Sequence, residues 1–171
     1  MGDFAVQVEV IYGSLWISKW PGKFHQQLVG CLWQEMWRPA HAAGLCAAPS
    51  LSVQLMPPNV ATPDLVVFEH ASGSQITTAG EVVMVGEIVT PREMRHVRHT
   101  RMHIYSAARI DWYLVAELDR PDLTLRLHRR HGDDFVEHSV APMGEILSSD
   151  EPFAFELSYD ALIGTKRAAT S

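Results

Sequence analysis

Asp64, Glu87 and Arg101 are the residues of this chain whose types and placement offer chemistry. Asp64 follows Pro63 and opens a short apolar run, Asp64-Leu65-Val66-Val67-Phe68. Glu87 interrupts Val82-Val83-Met84-Val85-Gly86-Glu87-Ile88-Val89, a stretch apolar enough to read as a central strand covered on both faces. An ionised carboxylate there is costly unless a cation or hydrogen-bond donors satisfy it. Arg101 falls in the middle of the apolar arc that Met94, Val97, Ile104, Tyr105 and Ala108 make on a helix. Two acids from neighbouring strands can hold one Mg²⁺ through oxygen ligands. Such an ion polarises a phosphodiester and lowers the pKa of a bound water, and a nearby guanidinium neutralises the charge that develops. The plainer reading of the same residues is a buried Glu87 to Arg101 ion pair, with Asp64 only a strand-end acid.

The elements that must position these groups follow from periodicity. Val6, Val8 and Val10 alternate with Gln7 and Glu9, and Tyr12-Gly13-Ser14 leads into Leu15-Trp16-Ile17, so a hairpin is expected with Glu9 on its polar side. Phe24 to about Ala43 reads as a helix whose buried face carries Phe24, Leu28, Leu32 and Met36. His25 falls within that arc, either as a core or capping histidine or as a phosphate contact. Trp33 and Trp37 lie at its margin, as a wide core face or a dimer contact. Strands are expected at Ser50–Met56, at Asp64–Phe68 and, after a loop from Ala71 to Gly80, at Glu81–Val89. Thr90-Pro91 caps and starts a helix that runs to about Ala108. Further strands follow at Asp111–Val115, Leu123–His128 and Phe135–His138, antiparallel and closing one edge of the sheet, with a last element at Pro152–Leu157.

Composition limits the classes. At 171 residues, one domain over 1–163 with a flexible tail at 164–171 is expected. No apolar run approaches the ~20 residues of a membrane span, and the N-terminus lacks the pattern of a secretory signal, so the cytoplasm is the default. Cys31 and Cys46 read as small apolar core residues. With a formal net charge of -6, nucleic-acid contact has to be local, at Arg92, Arg95, Arg98 and Arg101 or at Arg126, Arg129 and Arg130. His96, His99 and His103 fall on one helix face, but the face opposite Arg101, which argues against a zinc site. His128, Arg129, Arg130 and His131 read as a solvated turn, with contact to a DNA backbone as the minority reading.

Taken in order, Val8-Glu9-Val10-Ile11-Tyr12-Gly13-Ser14-Leu15, His25, Pro63-Asp64-Leu65-Val66-Val67, Gly86-Glu87-Ile88-Val89-Thr90-Pro91, and Arg101 to Tyr105 with Asp111-Trp112-Tyr113-Leu114-Val115 resemble the Uma-two family. This is a restriction-endonuclease-type family of the PD-(D/E)XK nuclease superfamily. The resemblance implies an α/β (α+β) fold of restriction-endonuclease type: a central twisted mixed sheet flanked by helices, with an N-terminal hairpin. It implies an endonuclease that hydrolyses DNA phosphodiester bonds with Mg²⁺, or with Mn²⁺; cutting both strands would favour a homodimer. It makes Asp64 and Glu87 the metal-binding acids and Glu9 an accessory acid; His25, Arg98 and Tyr105 are, beside these, candidate substrate contacts. Arg101 occupies the position of a helix lysine four residues before the tyrosine matched by Tyr105. The chain departs from the pattern at Val89, where most of the superfamily has lysine, at Arg101 itself, and at Val97, which replaces an acid. Arginine stays charged and exchanges no proton near neutral pH, so weakened catalysis is expected. The alternative is an inactive nuclease-fold module that binds nucleic acid or a protein.

Overall fold

A computed structural model describes residues 6–69, 76–90, 96–119 and 122–163, with 96–98 described by backbone alone. The helix start expected at Thr90-Pro91, with Arg92, Met94 and Arg95, lies outside the described residues beyond Thr90. So do residues 71–75 of the 71–80 loop, the tail from 164, and the side chains of Val97 and Arg98.

Two sheets carry the fold, which is α+β. The larger has six strands in the order β11-β10-β9-β8-β6-β3. These are β3 (Leu45–Pro49), β6 (Leu65–Glu69), β8 (Val82–Val89), β9 (Trp112–Asp119), β10 (Asp122–His131) and β11 (Asp134–Ala141). The smaller has the order β2-β1-β5-β4-β7, with β1 (Val6–Ile11), β2 (Ser14–Lys19), β4 (Val53–Gln54), β5 (Val60–Ala61) and β7 (Thr77–Thr78). β12 (Ile146–Ser149) and β13 (Phe155–Ser158) form a separate hairpin that leads into the short helix α3 (Tyr159–Ile163). Among the described residues no helix is long and apolar enough to cross a membrane.

The long helix α1 (Lys23–Ala42) buries Leu28, Leu32, Met36 and Ala40 in one core with Leu65, Val67, Met84, Ile88 and Leu114 of the large sheet. The opposite face of that sheet holds a second core, where Val66, Val85, Val89, Tyr113 and Val115 meet Ile11 and Val53 of the small sheet and Ile104 and Tyr105 of α2 (His96–Ala107). Because side chains alternate along a strand, Glu87 lies on this second face with Val85 and Val89. β8 and β9 run parallel, with Glu87 opposite Val115. A parallel pair needs a crossover, and α2 lies in that connection, which brings Arg101 to the face that Glu87 presents.

Several expectations need correction. The alternation in β1 is inverted: Val6 and Val8 are 48% and 50% exposed, whereas Glu9 and Ile11 are buried. Apolar patterning misleads here because Glu9 finds a cation and a backbone N–H inside. The strand expected over Ser50–Met56 shrinks to Val53–Gln54, while Leu45–Pro49 forms the edge strand β3 against β6. Ser50 takes a left-handed backbone (φ 47°), which breaks strand continuity, and alanine-rich β3 lacks the β-branched signal of a strand. Phe24, expected on the buried face of α1, is 39% exposed in the first turn. Cys31 and Cys46 are half-buried, with Cys31 packed against the first core as expected. The antiparallel closure through β9, β10 and β11 is as expected.

Candidate active site

A cavity of about 430 Å³ opens between the hairpin, the N-terminus of α1, β8 and α2. Glu9, His25, Asp64, Glu87 and Arg101 all line it, together with Trp16 and Thr100. Glu9, His25, Asp64, Glu87 and Arg101 each reach it from a different part of the fold, so the site exists only when both sheets and both long helices are packed.

Asp64 stands just before β6. Its Oδ2 accepts the N–H of Ile88 at 2.8 Å, which ties it to the residue after Glu87. Its Oδ1 lies 2.8 Å from Nε2 of His25, brought in by the first turn of α1. Glu87 accepts a hydrogen bond from the Tyr105 hydroxyl at 2.6 Å on Oε1, with Arg101 Nε 3.6 Å from the same oxygen. Arg101 makes its closest contacts with Glu9, in a bidentate pair of 2.8 and 2.7 Å, and the Thr62 N–H also donates to Glu9 Oε1 at 2.7 Å. Such forked, charge-assisted pairs are strong and fix orientation. The sequence reading anticipated Arg101 against Glu87; Glu9 as its principal partner was missed, since Glu9 was read on the polar side of its strand.

Three carboxylates, Glu9, Asp64 and Glu87, share the cavity with Arg101, Lys19 and His25. Burial pushes the Glu87 carboxyl up to about 7, against the pull of Arg101, and the neighbouring Asp64 and Glu9 carboxylates add to the rise while Tyr105 opposes it. Burial works against the charge on Arg101, yet Tyr105, Glu87 and Glu9 together hold its pKa well above the ordinary arginine value. The Tyr105 hydroxyl is also raised, by burial first and then by Glu87.

Tyr105, expected as a substrate contact, is fully buried, and its hydroxyl is directed to Glu87; it positions that carboxylate. The side chain of Arg98 lies outside what is described. His103 turns outward and meets the Tyr12 hydroxyl at 3.0 Å, away from Arg101. In the second basic group, Arg126 pairs with Glu117 and Glu137, Arg129 with Glu151, and Arg130 with Asp111. Those arginines are internally matched, so the local cation nearest the acids is Arg101.

The model of the Uma-two family, described as "Putative restriction endonuclease", matches residues 4–162. The chain belongs to the Uma-two family. Its fold is similar to a crystal structure of "a putative nuclease belonging to DUF820" from Anabaena variabilis, with a TM-score of 0.70. The two are 15% identical, and the likeness covers 92% of this chain and 89% of that one. No curated protein matches. Trp16 and Thr100 of this Uma-two chain line the cavity without having been singled out in the sequence; the cross-strand register that sets Trp16 opposite Glu9 is the signal that finds the first of them.

Among the described residues, no three His, Cys, Asp or Glu side chains are grouped to hold one ion. Asp64 and Glu87 alone still suit Mg²⁺, which keeps several waters and is commonly bound by one or two carboxylates plus substrate phosphate. A carboxylate has about four lone-pair positions, so the contacts made by Asp64 do not exhaust its oxygens.

Proposed function

We propose that this Uma-two protein is a Mg²⁺-dependent endonuclease, also supported by Mn²⁺, that hydrolyses DNA phosphodiester bonds at reduced efficiency. The observation that supports this best is the convergence of Asp64, Glu87 and Arg101 in one cavity, with Glu9 beside them. Asp64 and Glu87 hold the ion, which when bound supplies Lewis-acid polarisation of the phosphodiester and a more acidic water. His25 and the Ile88 N–H orient Asp64, and Tyr105 orients Glu87. Arg101 supplies positive charge beside the reacting phosphate but exchanges no proton. Its fork is also engaged by Glu9, which limits how far it can follow developing charge.

Asp64→Ala and Glu87→Ala are each expected to abolish Mg²⁺-dependent nicking of plasmid DNA. Variants that cut as fast as the parent protein would refute this reading.

The bidentate Glu9 to Arg101 pair favours a second reading, a nuclease-fold module that binds nucleic acid or protein without cutting. Calorimetric titration separates the two, since no heat of Mg²⁺ binding at millimolar metal favours the module.

A further inference from the structure

We infer that Trp16 is a stacking platform for a base of an unpaired DNA strand, and that the cavity it borders takes single-stranded DNA in preference to a duplex. The inference deepens the nuclease reading and rests on it for the position of the scissile phosphate at Asp64 and Glu87.

β2 forms one wall of the cavity, which Trp16, Ile17, Ser18 and Lys19 all line. Trp16 is directly opposite Glu9 in the hairpin register, and residues paired in this way project from the same face of the sheet, with Cβ atoms about 5 Å apart. Its indole therefore starts beside the carboxylate that holds Arg101. The residue is nevertheless 46% exposed. Three other tryptophans are engaged within the chain: Trp33 donates to Ala47 O, Trp37 stacks on His41, and Trp112 meets His138 edge-on and lies under Arg129. Among the described residues, Trp16 and Trp20 have no such ring or hydrogen-bond partner. Of these two, Trp16 is the one that lines the cavity. An aromatic ring contributes to folding by the area it buries, so one left half open at the mouth of a polar cavity is available to a ligand.

Two features select the occupant. The metal-binding acids are recessed, with the side chains of Asp64 and Glu87 only 12% and 9% exposed, so a phosphodiester reaches them by entering the cavity. Enzymes whose chemistry lies inside a pocket act on single strands or on an extruded nucleotide, since a paired and stacked strand cannot enter. The other feature is charge. The chain carries a formal net charge of -6, and Arg126, Arg129 and Arg130 are matched to acids, so the phosphate contacts that sustain non-specific duplex binding are few. Stacking on an aromatic ring needs no charge and accepts any sequence, because every base has a π-face. Nicking of a supercoiled plasmid is compatible with this, because negative supercoiling favours strand separation.

Fluorescence anisotropy of a labelled short oligothymidylate, and of a duplex of the same length, tests the platform without requiring cleavage. It uses the full chain in Ca²⁺, an ion that takes oxygen ligands, and is read before any cutting accumulates. The parent chain is expected to bind the single strand about tenfold more tightly than the duplex, and the unlabelled strand should quench its tryptophan fluorescence. Trp16→Leu, which keeps an apolar side chain but no ring, should weaken single-strand binding by about 5- to 100-fold, the effect of one base stack, with unchanged circular dichroism. Trp16→Phe should bind close to the parent, as should Trp20→Leu, which removes a comparably exposed ring outside the cavity. A parent chain that does not bind the single strand or binds the duplex equally well, a Trp16→Leu variant that binds like the parent, a Trp16→Phe variant as weak as Trp16→Leu, or equal losses from Trp20→Leu and Trp16→Leu overturns the inference. The expected binding pattern in a chain that leaves DNA uncut would count against the nuclease reading and for the platform; plasmid nicking without the pattern would do the reverse.

Discussion

At the scale of single residues, Arg101 decides how the site behaves. Its guanidinium is held by Glu9 through two hydrogen bonds and lies 3.6 Å from Glu87, so it joins α2 to both sheets as well as charging the pocket. Lysine in its place keeps the charge but makes no fork. Arg101→Lys is therefore expected to lower the melting temperature, as the Glu9 pair loses one of its two bonds at a cost of about 1–3 kcal/mol. Under the endonuclease reading the same substitution raises the rate of plasmid cleavage, because an ammonium can approach the phosphate and exchange a proton. Thermal unfolding together with a cleavage time course checks both parts; a rate no higher than that of the parent chain would remove the arginine as the cause of weakness. Arg101 as a cation on the inner face of its helix was legible from helical spacing. Its pairing with Glu9 was not, because nothing in the local sequence tells a buried, paired glutamate from an exposed one.

Among the elements, β8 is the one on which the site depends most. It is flanked by β6 and β9, carries Glu87 toward one core, and supplies the Ile88 N–H to Asp64. Gly86 permits this placement. A Cβ at that position would stand 3.1 Å from Cβ of Leu65, tighter than ordinary contact, and 3.7 Å from a methyl of Leu32, at ordinary contact, so β6 is set closely against β8 here. Gly86→Ala should cost about 1–3 kcal/mol through overpacking, read as a lower denaturant midpoint. It should also weaken Mg²⁺ binding measured by calorimetry, since Leu65 is next to Asp64. An unchanged midpoint would show that the two elements are less tightly set than the distances imply. β8 itself was readable as a central strand from its apolar run. β3 was not, since Leu45-Cys46-Ala47-Ala48-Pro49 has neither alternation nor β-branching, and its pairing with β6 comes from tertiary packing.

Across the whole molecule, the burial of the Glu87 carboxyl couples folding, pH and metal. In the folded chain the Glu87 carboxyl titrates at about 7, above its ordinary 4.5, so between these values the native state holds a proton that the unfolded chain has released. The stability this proton provides is complete below about pH 4.5 and is lost as pH rises through about 7. Without metal, the contribution from Glu87 should make the protein less stable at pH 8 than at pH 5. Mg²⁺ competes for the ionised form and binds only the folded site, so the melting temperature it adds should be larger at pH 8 than at pH 5. Differential scanning fluorimetry with and without Mg²⁺ across this range makes the comparison, and a metal-induced shift independent of pH would detach Glu87 from cation binding.

The sequence by itself determined the identity and order of the parts: a hairpin, a long helix, an acid before one strand, an acid inside another, and an arginine on a crossover helix. Those follow from periodicity and from the cost of placing charge in apolar runs, which act over a few residues. Only the tertiary structure decided which charges meet. It turned Glu9 inward to Arg101, set His25 and the Ile88 N–H on Asp64, buried Tyr105 against Glu87, and left Leu15 and Ile17 exposed on β2. Each of those contacts joins residues from different elements, and the packing of both sheets around two cores fixes them where local sequence cannot.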